Sequence, residues 1–288
     1  MTAKTIARDD PLISAEDLLA AIEAGRRTVL LDIRHAPGGP SKRADYEDGH
    51  LPGAHWVELG SQLSGPRTPG SGNNPLPDPA VLQEDVRRWG IDEDSLVVVY
   101  GETGAPSAAR GWFVLAWAGV PDVRFLDGGI DAWTAAGGAL VSEEPGERAG
   151  TFVIAPGALP TLDADEAASL ARRGVLLDAR GAKQYQGEPA SEGQPAQGHI
   201  PGALSAPTNA NLDERGRLRP EGELRARFEG LGVDGTREVG VYCGGGVAAA
   251  HQALVLRTLG IQAPVFIGSW SAWSSDPSRA VAVGSEAG

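Results

Sequence analysis

Short, uninterrupted apolar runs punctuate this chain, and longer mixed stretches fill the gaps between them. Thr28-Val-Leu-Leu31 and Val97-Val-Val99 are two such runs, each too brief for a helix. A strand buried on both faces reads this way, because it has no solvent side on which polar residues could alternate. Residues 82–90 and 108–119 predict helices, as do 223–230 and 248–260 further along. Two helix starts are marked by polar residues: Ser14 with Asp17, and Asp163 with Glu166, have the spacing of a capping box. Strands alternating with helices predict an α/β fold, with a parallel β-sheet flanked by helices on both faces. Catalytic groups in such sheets lie beyond the carboxyl ends of the strands.

The pattern occurs twice. The first half contains Val29-Leu-Leu-Asp-Ile-Arg34, Gly49-His-Leu-Pro-Gly-Ala54, Leu96-Val-Val-Val-Tyr100 and Leu126-Asp-Gly-Gly-Ile-Asp-Ala-Trp133. In the same order, the second half contains Val175-Leu-Leu-Asp-Ala-Arg180, Gly198-His-Ile-Pro-Gly-Ala203, Val239-Gly-Val-Tyr242 and Phe266-Ile-Gly-Ser-Trp-Ser-Ala-Trp273. Each half also opens on one of the two capped helices. An ordered set of signatures repeated once predicts two tandem copies of one domain, residues 1–145 and 146–288. The boundary falls in the Gly- and Glu-rich stretch 142–149.

Composition narrows the function. The net charge of −13 argues against a nucleic-acid partner, since phosphate binding needs clustered Lys and Arg. A small anionic substrate is still compatible, because a local site can be positive within an acidic protein. The most apolar stretch, 112–120, is far shorter than the roughly 20 residues that span a bilayer. The first 30 residues lack the pattern of a signal peptide, so the expected location is cytoplasmic, with no membrane partner. One cysteine precludes an internal disulfide and any multi-thiolate metal centre. The five histidines are not spaced as helical ligand pairs, and neither a metal nor a cofactor is expected.

That one cysteine has an informative position. Cys243 directly follows the predicted strand ending at Tyr242 and precedes Gly244, Gly245 and Gly246. Val247 and Ala248 then lead into an alanine-rich, helix-forming stretch. A thiol on a tight strand-to-helix turn faces unpaired backbone N–H groups and the positive end of a helix dipole. Those groups favour the thiolate and hold an anion in the loop. A lone cysteine is more often a small buried hydrophobe; here its placement favours a covalent carrier of negative charge.

Taken together, the motifs resemble the tandem-domain rhodanese family of thiosulfate and 3-mercaptopyruvate sulfurtransferases. The resemblance rests on both Leu-Leu-Asp-x-Arg runs, both Gly-His-x-Pro-Gly-Ala motifs, Val241-Tyr-Cys-Gly-Gly-Gly-Val247 and Gly268-Ser-Trp270, and extends from about Leu12 to Pro277. It implies two domains with a five-stranded parallel sheet each. It further implies catalysis in the second only, with Cys243 carrying sulfur as a persulfide inside a six-residue loop that ends at Ala248. A small anionic donor would load it, and a thiol, either a small molecule or a thioredoxin-like protein, or cyanide would unload it. In the first copy the strand ends at Tyr100 and Gly101 stands where the nucleophile would be, so that copy is expected to be inactive.

The resemblance also suggests roles outside the loop. Arg180 matches a family arginine expected to bind the substrate carboxylate, whereas a second family arginine falls at Gln186. His50 is a minor candidate for proton transfer, although its motif occurs in both copies, which favours a structural role. The Gly-x-Gly-Val frame leans toward 3-mercaptopyruvate, yet Gly245 and Ala248 stand where that branch has hydroxyls, so thiosulfate stays open. Two other readings stand beside it: a non-catalytic binding module, and a cysteine phosphatase. The latter needs an arginine where this chain has Ala249.

Overall fold

Val97, Val98 and Val99 are all fully buried in the computed structural model, which describes residues 10–188 and 197–288. Successive strand residues point to opposite faces, so this burial means that the strand is covered on both sides. Two compact units result. The first comprises the described residues up to Gln62 together with Asp78–Leu159, and the second comprises Leu63–Pro77 together with Pro160–Gly288.

The first unit contains strands β1 (Leu12–Ile13), β2 (Thr28–Asp32), β3 (His55–Trp56), β4 (Leu96–Tyr100) and β5 (Val123–Leu126), in the spatial order β1-β5-β4-β2-β3. The second contains β6 (Thr161–Leu162), β7 (Val175–Asp178), β8 (Leu204–Ser205), β9 (Val239–Tyr242) and β10 (Val265–Phe266), ordered β6-β10-β9-β7-β8. All pairings within both sheets are parallel. Helices connect the strands, as a parallel topology requires. The predicted helices are observed at Pro79–Arg88, Ser107–Trp117, Glu221–Glu229 and Ala248–Thr258. Asp163 and Glu166 form a reciprocal capping box, while Ser14 caps its helix through one bond from Asp17 N.

The repeated motifs do the same work in each unit. Tyr100 Oη accepts from Leu51 N at 3.1 Å, and Tyr242 Oη accepts from Ile200 N at 3.2 Å. The buried arginines Arg34 and Arg180 pair with Asp32 and Asp178 at the ends of β2 and β7. His50 stacks on Tyr46 with centroids 3.8 Å apart, and His199 stacks on Tyr185 at 3.7 Å. Trp133 and Trp273 close the apolar clusters and donate their indole N–H groups to Ala139 O and Ala280 O. The repeat in the sequence is therefore largely a repeat of scaffolding. In the second unit it brings the carboxyl end of the central strand β9 to the start of the helix Ala248–Thr258.

Candidate active site

Cys243 leaves the carboxyl end of β9 and is 2% exposed. Its Sγ accepts from Gly246 N at 3.1 Å. Gly246 has φ +81°, in the left-handed region that side chains with a Cβ disfavour. Gly245 is needed for a different reason: a Cβ there would lie 2.9 Å from Asn73 Cβ and 3.2 Å from Asn74 Nδ2.

Three consecutive carbonyls of the loop are held from outside it. Cys243 O accepts from Trp270 N at 2.9 Å, Gly244 O from Ser271 N at 2.9 Å, and Gly245 O from Asn74 Nδ2 at 2.7 Å. In a planar trans peptide the N–H points opposite to the C=O. Fixing these carbonyls therefore fixes the directions of the N–H groups of Gly244, Gly245 and Gly246, the last of which meets the sulfur. Such a loop can stabilise negative charge on sulfur, or on a group bonded to it, without cationic side chains.

Ser269 also contacts Cys243. Its Oγ accepts from Cys243 N at 3.2 Å, donates to Phe266 O at 2.8 Å, and lies 3.9 Å from Sγ. It is fully buried and holds φ +53°, the one non-glycine positive φ among the described residues. In the first unit the matching position, Gly129, holds φ +59°, and the next residue, Ile130, donates to Gly101 O just as Trp270 donates to Cys243 O. The same backbone turn thus carries glycine in one copy and a strained serine in the other.

Beneath the loop lies a buried network. Arg180 is 4% exposed. Its Nε and Nη2 bond to the Asp178 carboxylate, Nη2 also to Gly198 O at 2.6 Å, and Nη1 to Gln197 Oε1 at 2.9 Å. The guanidinium carbon stands 4.5 Å from the Trp270 ring centroid, a cation–π contact. Burial, and then the charge of Asp178, hold the Tyr242 phenol well above its ordinary range, so it stays protonated.

Of the residues picked out in the sequence, Cys243, Gly244, Gly245, Gly246, Val247, Ala248 and Arg180 come together; a Cβ on Gly244 would lie 3.9 Å from Arg180 Cδ. His50 is a residue of the first unit, where it is fully buried. Its Nδ1 lies 2.8 Å from Tyr46 O and its Nε2 3.1 Å from Glu143 O, so main-chain carbonyls face both ring nitrogens. His251 is buried with Nδ1 2.7 Å from Thr208 Oγ1, and burial lowers its pKa to about 4. Sequence reasoning missed Ser269 and Asn74. Ser269 was visible inside Gly268-Ser-Trp270, but no spacing ties it to Cys243. Asn74 lies 171 residues before Gly245 in the chain, in a Gly- and Pro-rich segment without periodicity.

Within the first unit the corresponding turn has no thiol. Gly101 follows β4, Ser107 Oγ donates to Ile33 O at 2.6 Å, and Thr103 Oγ1 donates to Gly128 O at 2.8 Å. Both nearby hydroxyls are thus used in backbone contacts.

The profile of the rhodanese-like domain matches residues 14–136 and 163–276. SseB of Mycobacterium tuberculosis, named for thiosulfate sulfurtransfer, is 41% identical over 96% of this chain and 99% of its own. The 3-mercaptopyruvate sulfurtransferase of Escherichia coli is 33% identical over 85% of this chain and 89% of its own. Among solved structures, the anaerobic ergothioneine biosynthesis enzyme of Chlorobium limicola superposes with a TM-score of 0.82 at 24% identity. That match covers 96% of this chain and 70% of the other, a likeness of fold.

Proposed function

The chain belongs to the rhodanese-like family, and from that premise we propose that it is a sulfurtransferase in which Cys243 alone carries the transferred sulfur. The observation that supports this most is the loop geometry: three carbonyls held outward, and Gly246 N 3.1 Å from Sγ. The second unit is the catalytic one, and the first, with Gly101 at the equivalent place, is inactive.

The reaction runs as two displacements. The Cys243 thiolate attacks the transferable sulfur of the donor, the sulfane sulfur of thiosulfate or the thiol sulfur of 3-mercaptopyruvate. With thiosulfate the S–S bond breaks and sulfite leaves with its electron pair; with 3-mercaptopyruvate the C–S bond breaks and the carbon takes a proton to give pyruvate. Either route leaves a Cys243 persulfide, its outer sulfur anionic and ringed by loop N–H groups. An acceptor thiolate, or cyanide, then attacks that outer sulfur and the Cys243 thiolate departs. Ser269 supplies near the sulfur a hydroxyl that the loop itself lacks. No helix among the described residues is long and apolar enough to cross a membrane; the cytoplasm is the location we propose.

Arg180 is proposed to meet the anionic donor through Nη1. Its Asp178 bonds belong to a buried ion pair whose breakage would cost about 3–5 kcal/mol, whereas Gln197 on Nη1 is a neutral partner that a carboxylate or sulfonate oxygen can replace. Gln197→Ala should therefore change KM for the donor with little change in kcat. No step is routed through His50. Single-turnover mass spectrometry decides the main reading: exposure to either donor should add one sulfur atom to Cys243, and none to a Cys243→Ser chain. Absence of the adduct with both donors would falsify it.

A further inference from the structure

Gly245 O and Gly246 N belong to one peptide unit. Its oxygen accepts from Asn74 Nδ2 at 2.7 Å, and its nitrogen donates to Cys243 Sγ at 3.1 Å. The unit therefore stands between an amide side chain and the nucleophilic sulfur, with one hydrogen bond at each end. Asn74 lies in the segment Leu63–Pro77, which packs as part of the second unit. That segment is itself anchored: Asn73 N donates to Ser271 Oγ at 2.9 Å, Arg67 Nε donates to Asn73 O at 2.9 Å, and Gly65 N donates to Pro75 O at 3.1 Å. The carbon that a side chain at 245 would need abuts Asn73 and Asn74, so the glycine and the asparagines fit each other.

We propose that Asn74 is a positioning residue for Cys243, holding the Gly245–Gly246 peptide so that its N–H is aimed at the sulfur. This rests on the reading of Cys243 as the sulfur carrier. Two physical effects act together. A peptide flanked by glycines turns easily, because neither neighbour has a Cβ to resist rotation; a bond on its oxygen removes that freedom. A carbonyl that accepts a hydrogen bond also polarises its own peptide, which strengthens the N–H as a donor. Negative charge on sulfur, in the thiolate and in the persulfide alike, is the state that gains. Trp270 and Ser271 hold the two preceding carbonyls through main-chain groups, so Asn74 is where this clamp depends on a side chain.

The test compares the rate of iodoacetamide alkylation of Cys243 at fixed pH in the full chain with single-turnover persulfide formation. Asn74→Ala should slow both, by roughly tenfold for the loss of one hydrogen bond behind the sulfur's donor. Asn74→Asp keeps the shape but sets an acceptor against the Gly245 carbonyl, and should slow both further. Asn74→Gln, which retains the amide donor, should recover part of the loss. Arg67→Ala removes one anchor of the same segment and leaves the Asn74 amide in place, so it should give a smaller loss than Asn74→Ala. Rates for Asn74→Ala equal to those of the parent chain would overturn the proposal, and so would a loss in Asn74→Gln as large as in Asn74→Ala. If Asn74→Asp does not fold, as thermal melting would show, the alanine and glutamine variants carry the comparison. A parent chain that takes no sulfur from either donor would sink the carrier reading, while the alkylation series would still decide the role of Asn74.

Discussion

Ser269 occupies a backbone conformation that costs a residue with a Cβ about 1–2 kcal/mol, in a turn for which the first unit uses Gly129. Its hydroxyl holds Cys243 N and reaches toward Sγ. Ser269→Gly would relieve the strain and lose the hydroxyl; Ser269→Ala would lose the hydroxyl and keep the strain. Chemical denaturation should find the glycine variant more stable than the alanine variant by about 1 kcal/mol, with sulfur transfer reduced in both. His251 gives a second prediction. Burial holds its pKa at about 4, below the ordinary value of 6.5, so the folded chain binds fewer protons than the unfolded chain between these values. Stability is therefore complete above about pH 6.5 and declines as pH falls toward 4, by roughly 3 kcal/mol for this group. The decline should be smaller in His251→Gln. At this scale the sequence was readable where chain neighbours do the chemistry: Cys243, its glycines and the helix after them are contiguous. It was unreadable where the partner comes from elsewhere, since no local pattern joins Ser269 or Asn74 to the sulfur.

Among the elements, burial decided what could be foreseen. The central strands β2, β4, β7 and β9 are continuous apolar runs because both faces are covered, and they stand where the runs are. Strands β3 and β8 are two residues long, half-buried, and each pairs on one side only, so they leave no run to find. Of the helix starts, the Asp163 box carries both reciprocal bonds, from Glu166 N to Asp163 Oδ1 and from Asp163 N to Glu166 Oε2. Asp163→Ala should cost about 1 kcal/mol of stability, read as a lower melting temperature, with kcat per folded molecule unchanged. The buried helix Ala248–Thr258 shows the opposite case. It is buried nearly all round, polar His251 and Gln252 included, and its start was legible from the alanines alone.

Over the whole chain, the order of the repeats and the way the chain packs do not coincide. Leu63–Pro77 is encoded inside the first repeat and folds with the second unit, bringing Asn74 to the loop after Cys243. A fragment of residues 146–288 lacks that segment, so its thiol should alkylate more slowly than in the full chain, and residues 1–145 supplied in trans should restore the rate. Duplication alone predicts two separable halves; packing predicts that one half depends on the other. The turn after β4 differs from the Cys243 turn in its own way. A Cβ on Gly101 would sit 3.0 Å from Ile33 O and 3.2 Å from Ser107 Oγ, and that hydroxyl is already committed to Ile33 O. Five residues separate β9 from its helix, whereas six separate β4 from Ser107–Trp117. A thiol placed at 101 would therefore also need a turn one residue shorter and a displaced serine, so Gly101→Cys alone does not reproduce the turn that holds Cys243.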